Sequence, residues 1–315
     1  KESMSYKDAL FTELIGIDTA LTNKTSTMRM ANNLGINYGY YKEKISLGVG
    51  GSINLSKEEN RYEYLNSPDS VVKNNYLNLS PRMNFSYTLS KRSNLNLNYS
   101  GNTTSPSADQ LQDILDVRDQ LSVSKGNPDL KKTFSQSASM SFSSSLISEE
   151  KFSFLHASVN FNNSFNNIAS ATQFINNDTI INGYEVLRGA RLTMPVNLNG
   201  QWSISTNVNY SFGIKSLKLR LNPSISYSYS HTPSIYDNIK NFTNSHNATF
   251  NLGINSNISE NLDYNISSRT SYSSSTSTTT GGSNSFTQSV NANAKWVFWK
   301  EFILAGDYSY TYTLS

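Results

Sequence analysis

Residues 94–99, Asn-Leu-Asn-Leu-Asn-Tyr, alternate strictly between polar and apolar side chains. Successive side chains of a β-strand point to opposite faces of a sheet, so this period of two predicts a strand with one polar and one apolar face. The same pattern recurs outward along the chain. Leu219, Leu221 and Ile225 share one parity, for example, and Arg220 has the other. The chain is therefore predicted to be all-β.

The alternation predicts about twelve long antiparallel strands and almost no helix. Tight turns such as Lys91-Arg92 join them at one end and long polar loops such as 105–128 at the other, an asymmetry typical of an outer-membrane β-barrel. Asn199-Gly200 alone would indicate a hairpin turn. We interpret it as a bulge within one strand, because a turn there would break the alternation of short and long connections. The predicted strands are 26–42, 45–64, 73–90, 93–104, 129–146, 151–174, 184–213, 216–234, 241–258, 261–277, 284–298 and 302–315.

Composition excludes several classes of protein. The chain has 53 Ser, 41 Asn and 24 Thr among 315 residues, and only 16% of its residues are charged. The absence of cysteine excludes disulfides, thiolate zinc sites and iron–sulfur clusters. A net charge of +3 without a run of five or more like charges argues against a nucleic-acid partner. No apolar stretch approaches the roughly 18 residues of a membrane helix, whereas a mean hydropathy of −0.48 agrees with a barrel whose lipid-facing and lumen-facing residues alternate.

Charged residues within the predicted strands keep to one face. Lys or Arg facing lipid near the bilayer midplane costs about 2–4 kcal/mol, so we expect the apolar faces to contact outer-membrane lipid and the polar faces to line a lumen. Each of the following has the parity opposite to the apolar residues of its own strand: Arg29, Arg82, Lys218, Arg220, Asp263, Arg269, Lys295 and Asp307. Aromatic residues near the short turns are predicted to form an interfacial girdle: Tyr38, Tyr40, Tyr87, Phe298, Trp299 and Phe302.

Three parts of the chain resemble the outer-membrane β-barrels related to TonB-dependent receptors. Residues 76–106 resemble that family's paired strands, which are joined by a short basic periplasmic turn. SPSADQLQDI at 105–114 and GNPDLKKTFSQSASMSF at 126–142 resemble its large loop and the re-entry of the chain into the barrel. TMPVNLNGQW at 193–202 resembles a stretch on a following strand. The order and spacing of these segments carry the resemblance.

The resemblance implies import of a nutrient ligand across the outer membrane of a Gram-negative bacterium, by gated binding and release without covalent chemistry. In that family a TonB-type energy-transducing complex acts on an amino-terminal plug. A surface lipoprotein is a further expected partner by fold-level analogy. The plug, the TonB box and a closing strand are absent from these 315 residues. Because such transporters close at about 22 strands, we expect residues 1–315 to be a single-domain fragment that forms about half of a larger barrel wall.

The sequence shows no signature of a catalytic, cofactor or metal site. We therefore expect no enzyme activity and no cofactor. His231 and His246 lie near the loop end of one predicted hairpin, where two imidazoles could approach each other. Without further ligands nearby, we interpret both as polar rim residues rather than as a metal site.

Two features of the long loops bear on binding. Asp109, Asp113 and Asp116 would form an acidic stripe if 107–117 is a short helix, which we interpret as a solvated loop helix. Four tyrosines near long loops are candidate contacts for a glycan, peptide or siderophore ligand: Tyr62, Tyr64, Tyr184 and Tyr236.

Two other functions stay open on the sequence alone. The first is a non-transporting outer-membrane barrel that acts as a scaffold or as a secretion or assembly component. The second is a soluble secreted β-sandwich or solenoid adhesin, in which the apolar parity would bury a core. The length of the predicted strands counts against the soluble alternative, because soluble strands usually have about 5–6 residues.

Overall fold

The computed structural model describes residues 2–3, 6–7, 16–17, 23–64, 70–147, 152–256, 261–279, 281–298 and 302–315. The chain divides into two compact units, residues 1–36 with 50–80 and residues 37–49 with 81–315. No helix among the described residues is long and apolar enough to cross a membrane.

Strands dominate the described chain, and each of the twelve predicted strand segments contains observed strand. The predicted positions 129–132, 187–190, 199–200 and 216–218 lie outside the observed strands. The short helix α1 spans Ala108–Leu111, and a single 3₁₀ turn spans Lys215–Leu217. The strands are β1 (Glu2–Ser3), β2 (Tyr6–Lys7), β3 (Gly16–Ile17), β4 (Asn23–Lys42), β5 (Ile45–Tyr64), β6 (Ser70–Ser90), β7 (Ser93–Thr104), β8 (Leu115–Asp116), β9 (Ser122–Lys125), β10 (Thr133–Ile147), β11 (Phe152–Phe165), β12 (Asn167–Phe174), β13 (Thr179–Ile181), β14 (Tyr184–Val186), β15 (Arg191–Leu198), β16 (Gln201–Ile214), β17 (Leu219–Tyr236), β18 (Ile239–Ser256), β19 (Leu262–Ser277), β20 (Gly281–Phe298) and β21 (Phe302–Leu314).

Antiparallel neighbours build both units. In the first, β1 pairs with β4 and β2 pairs with β3. In the second, successive antiparallel pairs join β6, β7, β10, β11, β16, β17, β18, β19, β20 and β21 in that order. We call this series of strands the wall. The prediction that residues 1–315 form about half of a larger barrel stays a prediction.

The register gives the wall two chemically different faces. Its apolar face carries rows of aliphatic and aromatic side chains, one of which is Leu97, Met140 and Val159. Its polar face carries rows of Ser and Asn, one of which is Asn98, Ser139 and Asn160. In the part of the wall that would cross lipid, charged residues keep to the polar face, where Asp263 pairs with Lys295 and Arg269 pairs with Asn251. Lys240, near the long-loop end of β18, instead has the parity of the apolar face. The predicted alternation is therefore confirmed.

The strand predicted at 184–213 is interrupted without forming a turn. β15 ends at Leu198 and β16 begins at Gln201, with Gly200 at φ +105°. The partner strand is interrupted at the same level, because Asn166 separates β11 from β12 at φ +50°. The backbone N–H of Asn166 donates to Asn199 Oδ1 over 2.7 Å, across the two interruptions. One hairpin thus runs through both interruptions. The prediction that Asn199-Gly200 is not a hairpin turn is confirmed, although the structure has a break between two strands there and not a bulge within one strand.

On the long-loop side of these two interruptions, the two strands of the hairpin lie beside different neighbours than on the short-turn side. Nearer the short turns, β16 lies beside β17. Beyond the interruption β12 lies beside β17 instead, running parallel to it at Ala171 and Ile235. On the other side β15 runs parallel to β9, with Leu192 opposite Val123. The left-right order of the two hairpin strands is therefore reversed in its outer part.

Two local predictions are wrong. The helix predicted at 107–117 is only the single turn α1, which Ser107 caps, and the chain then extends so that Leu115 and Asp116 form β8 against β9. Lys218 is not a strand residue, because it lies in the left-handed conformation at φ +51° after the 3₁₀ turn. At Lys218 a turn-forming hydrogen bond from its backbone N–H to Lys215 O replaces the predicted strand.

Candidate functional site: a folded cap at the long-loop end

Residues 105–130 and 167–198 fold together at the long-loop end of the wall, and we call them the cap. The cap has an apolar core of its own, and burying a Val, Leu or Ile side chain contributes about 1.5–3 kcal/mol. With Leu130, the cap core accounts for every buried hydrophobic side chain among the described residues. The core consists of Leu115, Val123, Ile175, Val186 and Ala190.

A group of side-chain amides joins the two halves of the cap at its base. Asn127 Nδ2 donates to Pro195 O over 3.0 Å, and Asn127 N donates to Gln110 O over 2.7 Å. Asn197 Oδ1 accepts from Lys131 N over 2.6 Å, while its Nδ2 donates to Lys131 O over 2.9 Å. Each such bond contributes about 0.5–1.5 kcal/mol net. We call these five residues the loop node.

Gly126, which is next to Asn127 of the loop node, is closely packed. Gly126 is buried, and a Cβ added there would lie 2.0 Å from Gln112 O, so the position has no room for a side chain. Gly126 and the loop node together bring residues 105–114, 126–142 and 193–202 into contact. These are three of the segments that carry the family resemblance. These segments are far apart in the sequence but form one structural site.

Hydrogen bonds join the cap to the wall on one edge and join two segments of the cap to each other on the opposite edge. Phe174 N donates to Asp237 Oδ1 over 2.7 Å, and Asp237 N donates to Thr172 O over 2.8 Å. On the opposite edge Arg191 N donates to Leu121 O over 2.9 Å. Hydrogen bonds on both edges restrict rotation of the hairpin about its interrupted strands.

Acidic residues of the cap pair with bases instead of forming a stripe. Lys125 Nζ lies 2.7 Å from Asp113 Oδ1. Arg118 Nε donates to Asp116 Oδ1 over 2.9 Å, and this hydrogen bond holds the pKa of the Asp116 carboxyl below its usual value. Asp109 lies alone in the first turn of α1. The predicted acidic stripe is therefore wrong, because the chain leaves the helix before Asp113.

The candidate ligand tyrosines fall in different settings. Tyr184 is half-buried and packs against the cap core, and the ring of Tyr236 lies 5.4 Å from that of Phe174. Tyr62 and Tyr64 lie on β5, and their side chains are outside the described residues. The role of these four residues in ligand binding stays a prediction.

The predicted girdle residues that the structure describes lie at strand ends next to short turns. Tyr38 and Tyr40 are exposed near the end of β4, and Tyr87 is half-buried near the end of β6. The rings of Phe298 and Phe302 stack 5.8 Å apart across the β20–β21 connection. Trp299 lies outside the described residues.

The described histidine and carboxylate side chains are not grouped in a way that could form a metal site. Among the described residues no group of three or more His, Asp or Glu could hold a metal ion. His231 Nδ1 contacts Asn244 Oδ1 at 2.6 Å, and His246 Nδ1 contacts the Tyr227 hydroxyl at 2.8 Å. His156 lies on the polar face between Ser143 and Asn209.

The loop node is not recognisable as a unit in the amino-acid sequence. Gly-Asn-Pro at 126–128 and Pro-Val-Asn at 195–197 were recognisable as family-like stretches. No local pattern pairs an Asn amide with a backbone group nearly 70 positions away, because the node forms only after two long loops have folded together.

Comparison with known proteins identifies the class. A model of the outer membrane protein beta-barrel family matches residues 5–303. The chain belongs to this family. It is therefore an antiparallel β-barrel protein of the Gram-negative outer membrane, and the soluble sandwich or solenoid is excluded. No curated protein matches the chain.

Among solved structures, the chain is similar to two forms of OmpT, an outer membrane protein of Vibrio cholerae. The loop L8 deletion mutant is 7% identical with a TM-score of 0.32, and the match covers 93% of this chain and 95% of that one. The in-vitro folded OmpT is 8% identical with a TM-score of 0.31, covering 96% and 90%. At these TM-scores the likeness carries no argument about function.

Proposed function

We propose that the protein is an importer of the TonB-dependent type. It binds a nutrient ligand at the cell surface and releases it through the outer membrane, with energy from a TonB-type complex that acts on a plug domain. The main support for this proposal is the loop node. Segments that resemble this class of receptor, although separated by up to about 70 positions, meet there in direct hydrogen bonds.

The cap is suited to ligand binding because it is held in one arrangement. Its own core and the loop node order the loops before a ligand arrives, which lowers the entropic cost of binding. A gated cycle then requires a second arrangement of the cap or plug that binds the ligand less tightly. No covalent step is needed, and we expect no enzyme activity.

The polar face favours an uncharged polar ligand. Its side chains are mainly hydroxyls and amides that bond across strands, as Ser273 Oγ does to Asn247 Oδ1 over 2.7 Å. Such groups exchange hydrogen bonds with sugar hydroxyls without the desolvation of a fixed charge. We therefore rank glycans before peptides and siderophores as the ligand class.

Exposed apolar residues on the cap support a protein partner. Leu121 and Ile180 are 62% and 76% exposed, although they lie above the strands that would contact lipid. A surface lipoprotein docked on the cap would cover them in an importer. In a non-transporting scaffold the same residues would contact an assembly partner, which makes this the second candidate function.

The experiment is energy-dependent uptake by cells that carry the full-length gene. Labelled glycans, peptides and siderophores are supplied to the deletion strain and to complemented strains, with and without a protonophore. We expect uptake of one class that stops when the proton gradient collapses. Uptake that survives the protonophore would indicate a passive pore, and an unchanged deletion strain that loses a surface structure would indicate a scaffold.

A matched pair of variants tests the role of the loop node. Asn127→Ala with Asn197→Ala removes its side-chain bonds, and uptake should fall at least tenfold. Met140→Ala, on the apolar face of the wall, is the control and should transport normally. Heat-modifiable migration in gels verifies that each variant has inserted. Normal uptake by the inserted node variant would contradict the proposal.

A further inference from the structure

The apolar face carries a cluster of aromatic, imidazole and amide groups towards the long-loop ends of β16, β17 and β18. The register places them side by side, since Trp202 pairs with His231, His231 with Asn244, and Tyr229 with His246. We call the following residues the rim cluster: Trp202, Tyr227, Tyr229, His231, Phe242, Asn244 and His246.

Direct contacts order the rim cluster. Ring centroids lie 4.9 Å apart for Trp202 and Tyr229, 4.7 Å for Tyr229 and His246, and 4.8 Å for His231 and Phe242. The Tyr229 hydroxyl donates to Asn244 Oδ1 over 2.8 Å, and His231 Nδ1 contacts the same oxygen.

Strand length sets the depth of the rim cluster in the membrane. A tilted strand crosses the hydrocarbon in about 9–11 residues. Counted from the short-turn end of β17 at Leu219, about eleven residues reach Tyr229. Counted from the short-turn end of β18 at Ser256, about eleven residues reach His246. The rim cluster therefore lies at the boundary between hydrocarbon and headgroups of the outer leaflet.

Along β18, every second side chain changes from charged to hydrogen-bonding to apolar, in the same order in which a lipid changes from headgroup to acyl chain. Lys240 is outermost, with its Nζ 5.1 Å from the ring centre of Phe242. Asn244 and His246 follow, and Ala248 and Phe250 continue into the hydrocarbon on the same face. None of β16, β17 and β18 contains Asp or Glu. The surface is thus cationic at the top, aromatic below it and hydrogen-bonding at the hydrocarbon boundary.

Two groups of the rim cluster keep donors for a ligand. Asn244 Oδ1 accepts from within the cluster, which leaves the two Nδ2 hydrogens. When the Tyr227 hydroxyl donates to His246 Nδ1, the imidazole proton is on Nε2. Among the described residues no protein group bonds to either nitrogen atom. Both suit the carbonyl oxygens at which acyl chains join a sugar.

We propose that the rim cluster and Lys240 bind the phosphorylated sugar headgroup of an outer-leaflet glycolipid. Lys240 Nζ contacts a phosphate, Phe242 and Trp202 contact the sugar rings, and Asn244 and His246 donate to the acyl carbonyls. A cation beside an anionic lipid headgroup is stabilised by electrostatic attraction near a membrane surface. The site lies on the face that meets lipid and does not depend on the proposed import function.

The test is lipid binding by the full chain in detergent, measured by native mass spectrometry. The probes are a diphosphorylated acyl glucosamine disaccharide, the same lipid after phosphatase treatment, and phosphatidylglycerol. We expect the wild-type protein to prefer the diphosphorylated glycolipid at least fivefold over both others. Equal binding of the dephosphorylated lipid or of phosphatidylglycerol would overturn the proposal and leave only an aromatic girdle.

Variants separate the parts of the site. Lys240→Gln should remove the preference for phosphate and leave binding of the dephosphorylated lipid unchanged. Asn244→Ala with His246→Ala should weaken binding of both glycolipids about fivefold. His156→Ala, on the polar face, and Lys215→Gln, next to a short turn, are controls that should bind as the wild type does. Lys240 is exposed, so Lys240→Gln tests the proposal even if the double variant does not fold. Wild-type lipid preference in Lys240→Gln would overturn it.

Discussion

The wall and the cap of the second unit use apolar residues in opposite ways. In the wall, Met140 is 47% and Phe250 is 46% exposed, whereas in the cap Leu115 and Val186 are each 1% exposed. The wall is one sheet thick, and lipid covers its apolar face, so these side chains need no protein partner. The cap lies beyond the lipid and must bury its apolar side chains within itself.

This difference predicts opposite sensitivities. Removing apolar volume should damage the cap, where a cavity would remain, and should affect the wall little, because lipid chains adapt to the smaller side chain. Introducing charge should damage the apolar face of the wall and be tolerated on its polar face.

Leu115→Ala should unfold the cap and leave the wall intact. Truncating a fully buried Leu costs about 2–5 kcal/mol, because a cavity adds to the lost transfer energy. Limited proteolysis should cleave 105–130 at least tenfold faster, while heat-modifiable migration stays normal. Met140→Ala is the matched control on the wall and should leave the cleavage rate unchanged. Equal effects of the two variants would show that the cap has no core of its own.

Val208→Arg should disturb the wall and leave the cap folded. Val208 lies on the apolar face near the middle of the predicted membrane crossing, where Arg costs about 2–4 kcal/mol. Urea unfolding in lipid vesicles should show the loss. Asn209→Arg, one position along and on the polar face, should be nearly neutral. If Asn209→Arg were the more harmful change, the assignment of the two faces would be reversed.

Gly126→Ala should loosen the base of the cap. The added Cβ would overlap Gln112 O, and overpacking of this kind costs about 1–3 kcal/mol. Cleavage of the cap by protease should accelerate, although less than in Leu115→Ala. Gly306→Ala is the control on the wall, because a Cβ there meets no atom within 4 Å. A protease-resistant Gly126→Ala protein would show that the loop backbone can shift at little cost.

Acid should weaken the cap slightly through Asp116. The folded pKa of Asp116 lies below its unfolded value because Arg118 donates to the carboxylate. The carboxylate therefore stabilises the cap above its unfolded pKa of about 3.9, and this contribution is lost as pH falls through the lower folded pKa. The pair is exposed, so the effect is small. Pepsin cleavage at pH 5 and pH 3 should depend less on pH in Asp116→Asn; equal pH dependence would exclude a role for the pair.

Much of the wall could be predicted from the sequence. The period of two in segments such as 94–99 and 219–229 assigns strand and faces together, because a side chain's face follows from its parity alone. The tight turn at Lys91-Arg92 makes β6 and β7 antiparallel neighbours, which the structure confirms.

The cap required the tertiary structure. Leu115, Val123 and Val186 have no shared period and come from two loops, so their common core is invisible locally. The exchange of neighbours by β12 and β15 depends on two interruptions lying side by side, and each interruption alone resembles an ordinary turn or bulge. The rim cluster likewise needs the register of three strands to bring Trp202, Tyr229 and His246 into contact.

The all-β class, the two faces of the wall and the outer-membrane setting follow from parity, composition and connection length, which can be read from the amino-acid chain. How the long loops fold, which residues form the loop node and where polar groups meet on the apolar face depend on the folded structure. Strand periodicity is a property of consecutive residues, whereas contacts between loops and across strands depend on register and on the closure of long segments.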